Sequence, residues 1–158
     1  IGDWEADTVI GKPGGAVLVT LAERKSRLSL IALAPDKTAQ AVKEALLRSL
    51  QPVARQVHTL TYDNGKEFAY HDDIAKELAA EGFFAHPYHS WERGLNENTN
   101  GLIRRYLPKG TCFKTLHPNR LKTIVDQLNN RPRKCLNART PNEVFQKQRQ
   151  EHLIALRA

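Results

Sequence analysis

The chain has 158 residues, 41% of them apolar, and a formal net charge of +7. That length suits a single domain with a core of its own, and no run approaches the ~18 consecutive apolar residues of a membrane span. It opens at Ile1 and contains no Met, so it reads as an excised piece of a longer protein from which no targeting signal can be inferred.

Two cysteines, Cys112 and Cys135, lack Cys-x-x-Cys spacing and suit unpaired thiols in a reducing compartment. The charge is unevenly divided. Residues 1–90 carry 10 Lys and Arg against 12 Asp and Glu, whereas residues 91–158 carry 14 against 5. An acidic half able to hold a cation beside a basic half able to hold phosphates points to a metal-dependent enzyme acting on nucleic acid. A merely solvated basic surface is the plain alternative.

In chain order, Asp3 to Ile10 alternates as a strand, with Trp4, Ala6, Thr8 and Ile10 on one face and Asp3, Glu5, Asp7 and Val9 on the other. Lys12-Pro13-Gly14-Gly15 signals a turn. Ala16 to Ala22 reads as a strand covered on both faces, and Leu28 to Ala34 completes an antiparallel meander. A helix capped by Asp36 or Thr38 follows, with Val42, Ala45, Leu46 and Ser49 inward. Val57 to Asp63 gives a fourth strand closed by Asn64-Gly65. His71 to Ala80 gives a second helix with Ile74, Ala75 and Leu78 inward and Gly82 at its end. Phe83 to His86 gives a short fifth strand.

The run His86 to Lys109, taken as a helix, places Trp91, Leu95, Leu102 and Tyr106 on one stripe. Ser90, Arg93, Glu97, Asn100 and Arg104 gather on the opposite side, with Gly94 and Gly101 along its edge. That face combines one carboxylate with two guanidiniums and an amide, a set suited to a metal and a phosphate backbone. Leu121, Ile124, Val125 and Leu128 mark a further helix stopping before Pro132. Thr140-Pro141-Asn142-Glu143 is a capping box that opens a last one. The chain divides most economically into a single domain, 1–158, with a core at 1–112 and a helical C-terminal extension at 113–158.

Asp63 closes a β-rich segment, where an α/β fold places ligands. Were the first and fourth strands neighbours, about 4.8 Å apart, Asp7 and Asp63 would reach one cation, with Glu97 approaching from a helix. An oxygen-only set favours Mg²⁺ or Mn²⁺ over Zn²⁺. His86 and His89 are a weak zinc lure, since Pro87 breaks the helical spacing between them. Taken singly, Asp63 suits a turn, Asp3 or Glu5 competes with Asp7, and Glu97 suits a pair with Arg93 or Arg104.

The strings GDWEADTVIG, LVTLAERKSRLSL, TYDNGKEF, PYHSWERGLNENTNGLIRRYLPKG and RPRKCLNARTPNEVF resemble the catalytic core of insertion-sequence-thirty family bacterial transposases, within the DDE integrase superfamily. The resemblance covers essentially the whole chain. It implies an α/β RNase H-like fold, a five-stranded mixed sheet flanked by helices with a helical C-terminal tail, its first and fourth strands parallel neighbours. It also implies that Asp7, Asp63 and Glu97 are the catalytic, metal-binding acids; 33 residues lie between the last two.

The activity so implied is Mg²⁺-dependent DNA cleavage followed by 3′-hydroxyl strand transfer. Two ions are expected with DNA bound, Mn²⁺ is an expected substitute, and no Ser, Tyr or Cys nucleophile is required. Arg93, Asn96, Asn100, Arg104, Arg105 and Lys109 would meet the DNA backbone, and Arg131, Arg133 and Lys134 would extend the basic surface. The partners would be double-stranded DNA, at element ends and target, and further copies in a homo-oligomer, in the bacterial cytoplasm at the nucleoid. Family members carry an N-terminal helix-turn-helix region; none is read in these residues, as is expected of a trimmed catalytic fragment. Competing readings are an RNase H-like nuclease without strand transfer, a non-catalytic DNA-binding or oligomerisation module, and, on the acids alone, a glycosidase.

Overall fold

The alternating N-terminal segment forms β1 (Asp3–Ile10), and the turn after it returns the chain into β2 (Val17–Glu23). The computed structural model describes residues 1–85 and 94–155, with side chains through residue 151. β2 pairs antiparallel with β1, setting Asp7 opposite Thr20, and it is buried throughout, as an apolar run covered on both faces should be. β3 (Ser29–Ala34) completes the meander. Thr38 then caps α1 (Ala39–Leu50), accepting the N–H of Ala41 on its hydroxyl. β4 (Thr59–Tyr62), α2 (His71–Leu78), β5 (Glu81–Phe84), α3 (Gly94–Tyr106), α4 (Pro118–Asn129) and α5 (Pro141–Ala155) follow.

The sheet order is β3-β2-β1-β4-β5, with β1–β4 and β4–β5 parallel. This is the expected five-stranded mixed sheet flanked by helices. On one face Trp4, Ala6, Val42, Leu46, Leu60 and Ile74 form the larger core, which Phe145 of α5 joins by an edge-on contact with Trp4. On the other, Val9 and Leu18 meet Ile103 of α3 and Ile124 and Leu128 of α4. Helices beyond residue 113 thus supply both cores. The capping box forms as read, with Glu143 accepting the Thr140 N–H and Thr140 accepting that of Glu143. No helix among the described residues is long and apolar enough to cross a membrane.

Three local expectations shift. Gly82 does not end α2: Ala79 takes the left-handed position at φ 50°, and Gly82 lies within β5. β5 accordingly starts at Glu81 rather than Phe83. In α3 the buried residues are Leu95, Asn96, Thr99 and Ile103, while Leu102 and Tyr106 are half-buried. The helix is rotated from the apolar stripe because its polar groups, described below, bond to β1. Trp91, the start of the expected stripe, lies outside the described residues, as do Ser90, His86 and His89.

The free side of β3 is partly closed by Asn129 of α4. Its Oδ1 accepts the Ser29 N–H at 2.9 Å and its Nδ2 donates to the Ser29 carbonyl at 2.8 Å, so a side-chain amide imitates a neighbouring strand. Asn129→Leu leaves both backbone groups buried and unpaired, and urea unfolding should report a loss of about 2–4 kcal/mol.

Candidate active site where β1 and β4 part

β1 and β4 are paired only from Asp3–Thr59 to Glu5–Thr61. Continued two residues further, that register sets Asp63 opposite Asp7, just where the strands separate and β1 turns wholly to β2. A switch point of this kind leaves a crevice beyond the strand ends. Both carboxylates are half-exposed. Asp7 Oδ1 accepts the Thr8 N–H at 2.7 Å, and its Oδ2 accepts the Nδ2 of Asn100 at 2.9 Å. The Thr20 hydroxyl lies 3.1 Å from Asn100 Oδ1 and 3.3 Å from the Asp7 carbonyl, donating to one at a time. Asp63 Oδ1 accepts the Gly65 N–H at 2.8 Å, closing an Asx turn.

α3 is fastened to β1 by polar groups. The Asn96 N–H reaches Glu5 Oε2 at 3.2 Å, its Nδ2 reaches the Ala6 carbonyl at 3.4 Å, and Arg104 Nη2 donates to the Ile10 carbonyl at 2.6 Å. Asn96 is only 1% exposed. It faces the sheet rather than solvent, which corrects its expected place on a DNA-facing surface. Asn100 likewise spends its amide on Asp7, and one end of Arg104 is committed to the strand.

Glu97, Arg105 and Lys109 are exposed, whereas Arg93 lies outside the described residues. Glu97 stands one residue from Asn96 and about one helical turn from Asn100, the residue that bonds Asp7. It is not drawn into contact with both aspartates: among the described residues, no three His, Cys, Asp or Glu side chains form a group that could hold a metal ion. Cys112 and Cys135 are free and exposed.

The three acids of one β1 face, indistinguishable by strand parity, separate by partner. Asp3 accepts the Thr59 hydroxyl, buried Glu5 pairs with Arg24 at 2.9 Å and holds α3, and Asp7 occupies the crevice. A further carboxylate escapes the sequence reading. Glu67, 6% exposed, accepts the Thr8 hydroxyl and the Lys37 ammonium, each at 2.9 Å. Burial opposes its ionised form, but hydrogen bonds from Lys37, its own backbone N–H and Thr8 prevail and hold its pKa below the usual value.

Asp63 and Glu67 bracket Gly65 so closely that a Cβ there would stand 2.7 Å from Asp63 Oδ1 and 2.5 Å from Glu67 Oε2. Only glycine fits. Glu67 thereby ties the strand carrying Asp7 to the loop carrying Asp63. The signal available in the sequence was its place four residues after Asp63 beside an apolar Phe68, where a carboxylate would be buried with a partner.

No protein-family model matches the chain. Among curated proteins it is 47% identical over 144 residues to the transposase of insertion sequence element IS4351 from Bacteroides fragilis, covering 91% of this chain and 44% of that one. It is 38% identical over 148 residues to the transposase of IS30A from Escherichia coli K12, covering 93% and 38%. The chain thus spans less than half the length of these relatives. Among solved structures, the catalytic core domain of BIV integrase superposes with a TM-score of 0.71 at 22% identity, covering 95% of this chain and 97% of that one. The HTLV-2 integrase catalytic core domain in complex with magnesium gives 0.69 at 16% identity, covering 90% and 94%. The chain is therefore homologous, over nine tenths of its own length, to transposases of the IS30 family, and it has the RNase H-like fold of an integrase catalytic core.

Proposed function

We propose that the chain is the catalytic core of a DNA transposase, cleaving DNA at the 3′ ends of an insertion element and joining them to a target. Asp7, Asp63 and Glu97 are its metal-binding acids, with Mg²⁺ the working ion, Mn²⁺ a substitute, and two ions engaged once DNA is bound. The observation that supports this reading is the β1–β4 register, which, if continued two residues past its last pair, would bring Asp63 opposite Asp7, the residue that Asn100 of the helix bearing Glu97 contacts. Homology to transposases and an integrase-core fold support the reaction class.

The residues fit a hard divalent cation. All candidate donors are carboxylate oxygens, half-exposed or exposed, without the nitrogen or sulfur ligands that favour zinc. When bound, such an ion would lower the pKa of the attacking water or 3′-hydroxyl and offset charge on the leaving oxygen. The chain's own groups do the positioning. Asn100 fixes the rotamer of Asp7, Thr20 steadies Asn100, and Glu67 holds the Asp63 loop against Thr8. Arg105 and Lys109, both exposed, would meet backbone phosphates of the element ends and target. In the full-length protein, a homo-oligomer brings paired ends together.

Asp63→Asn or Glu97→Gln should lower Mg²⁺-dependent strand transfer about a hundredfold or more, the rate equivalent of several kcal/mol of lost electrostatic stabilisation. Near-normal joining of a pre-cleaved 3′-hydroxyl end by a folded variant would reject the assignment. Cleavage without joining, in the unaltered chain, would reduce it to a nuclease.

Glu67→Gln should cost about 1–3 kcal/mol in urea unfolding and lower strand transfer roughly tenfold to a hundredfold, with a raised Mn²⁺ requirement. Reduced stability with unchanged metal requirement would make its role structural alone. Arg105→Ala should weaken duplex binding and reduce the slope of log affinity against log salt by about 0.9, the loss of one phosphate contact; an unchanged slope would remove Arg105 from the interface.

A further inference from the structure

We propose that the cavity between the β2–β3 turn, the outer flank of α3 and the loop after α4 is a phosphate-binding pocket, separate from the acidic site. Its volume is about 150 Å³, and Arg27, Ser29, Asn98, Thr99 and Arg133 supply its polar lining, with no acidic residue among them. Two guanidiniums with amide and hydroxyl donors, and no carboxylate among the described lining residues, make a receptor for a tetrahedral oxyanion.

The charges are placed at a cost. Both arginines are half-buried, and neither forms an ion pair among the described residues. Arg133 donates from Nη2 to the Leu128 carbonyl at 3.0 Å, which fixes the plane of its guanidinium. Its Nε is buried without an acceptor among the described residues. Burial, and then repulsion from Arg131, pulls its pKa below the ordinary arginine value. A guanidinium taken from water with one N–H unanswered is destabilising unless a ligand oxygen completes it.

Arg27, also in the lining, stands on a rigid support. It sits at φ 64°, a left-handed conformation that side chains other than glycine rarely adopt. The turn is locked by Glu23, fully buried, which accepts the Lys25 N–H at 3.1 Å, the Ser26 N–H at 2.6 Å and the Gly2 N–H at 3.0 Å. A buried carboxylate thus maintains a strained turn that carries a cation into the cavity lining.

On α3 the lining residues, Gly94, Leu95, Asn98, Thr99 and Leu102, form one stripe. At about 100° per residue it lies roughly a third of a turn around the helix from Glu97. A phosphate seated here is therefore distinct from any group reacting at Asp7 and Asp63. The phosphate chemistry stands on the pocket itself; its assignment to a DNA backbone rests on the function proposed above.

The test follows the arginine Nε–H resonances of the whole chain by NMR, in chelator, as inorganic phosphate replaces chloride at constant ionic strength. The expected result is a saturable shift of the Arg27 and Arg133 signals, with the Arg133 response lost in Arg27→Gly, a substitution the left-handed backbone accepts. Absence of any saturable shift, or an Arg133 response unaltered by Arg27→Gly, would overturn the pocket. A short duplex then identifies the source. If DNA moves the same signals, and Arg27→Gly lowers duplex affinity about threefold to tenfold with a salt slope smaller by about 0.9, the ligand is a backbone phosphate. If inorganic phosphate moves them and the duplex does not, the ligand is a free phosphate compound and the pocket stands. Asp63→Asn should leave every shift in place, so failure of the catalytic reading and failure of the pocket are separately visible.

Discussion

Three residue pairs of parallel sheet carry the site. From Asp3–Thr59 to Glu5–Thr61 the first and fourth strands run side by side, and everything proposed about Asp7 and Asp63 depends on that alignment. Parallel pairs need long crossovers, so the register is not set by a local turn. It is set instead by contacts around the pairing: Trp4 Nε1 donates to the Gln56 carbonyl at 3.0 Å, the His58 N–H to the Gly2 carbonyl at 2.8 Å, and the Thr59 hydroxyl to Asp3 at 2.7 Å. A slip of one residue would send Leu60 and Tyr62 out of the core and rotate the Asp63 loop away from Asp7. Hydrophobic burial of Trp4 and Leu60 and the placement of the acids are thus one constraint.

The helix over the acids is attached in a different way. Asn96, Asn100 and Arg104 recur every four residues and bond in turn to Glu5 and Ala6, to Asp7, and to Ile10, so one helical stripe follows β1 along its length. Ile103 and Leu107 anchor the adjoining stripe in the second core. A helix seated only by greasy contacts could slide; one indexed by directional hydrogen bonds holds Asn100 at the carboxylate it must orient. The same attachment withdraws Asn96 from any ligand and leaves Glu97, Gly101 and Arg105 as the exposed side of this helix.

Much of this was legible in residue patterns, for physical reasons that can be named. Alternation identified β1, continuous apolarity identified β2, and the Thr140–Glu143 capping box opened α5 where expected, because each signal is local. Strand order was not local and came from the family resemblance, which the fold bears out. The seating of α3 was misread because polar residues were assigned to solvent, whereas buried Glu5 draws Asn96 inward. Glu67 was missed for the same reason: a carboxylate is read as exposed until its partners, here Lys37 and Thr8 from distant segments, are known. Arg27 was invisible because nothing in its sequence neighbourhood announces a left-handed turn.

The most direct measurement is a crystal structure of the chain bound to DNA and soaked with Mn²⁺, read by anomalous difference density. The central claim requires a peak between Asp7 and Asp63, within about 2.0–2.3 Å of a carboxylate oxygen from each, with Glu97 turned towards the same crevice. Density confined to other sites, or aspartates too far apart to share an ion with DNA in place, would contradict it.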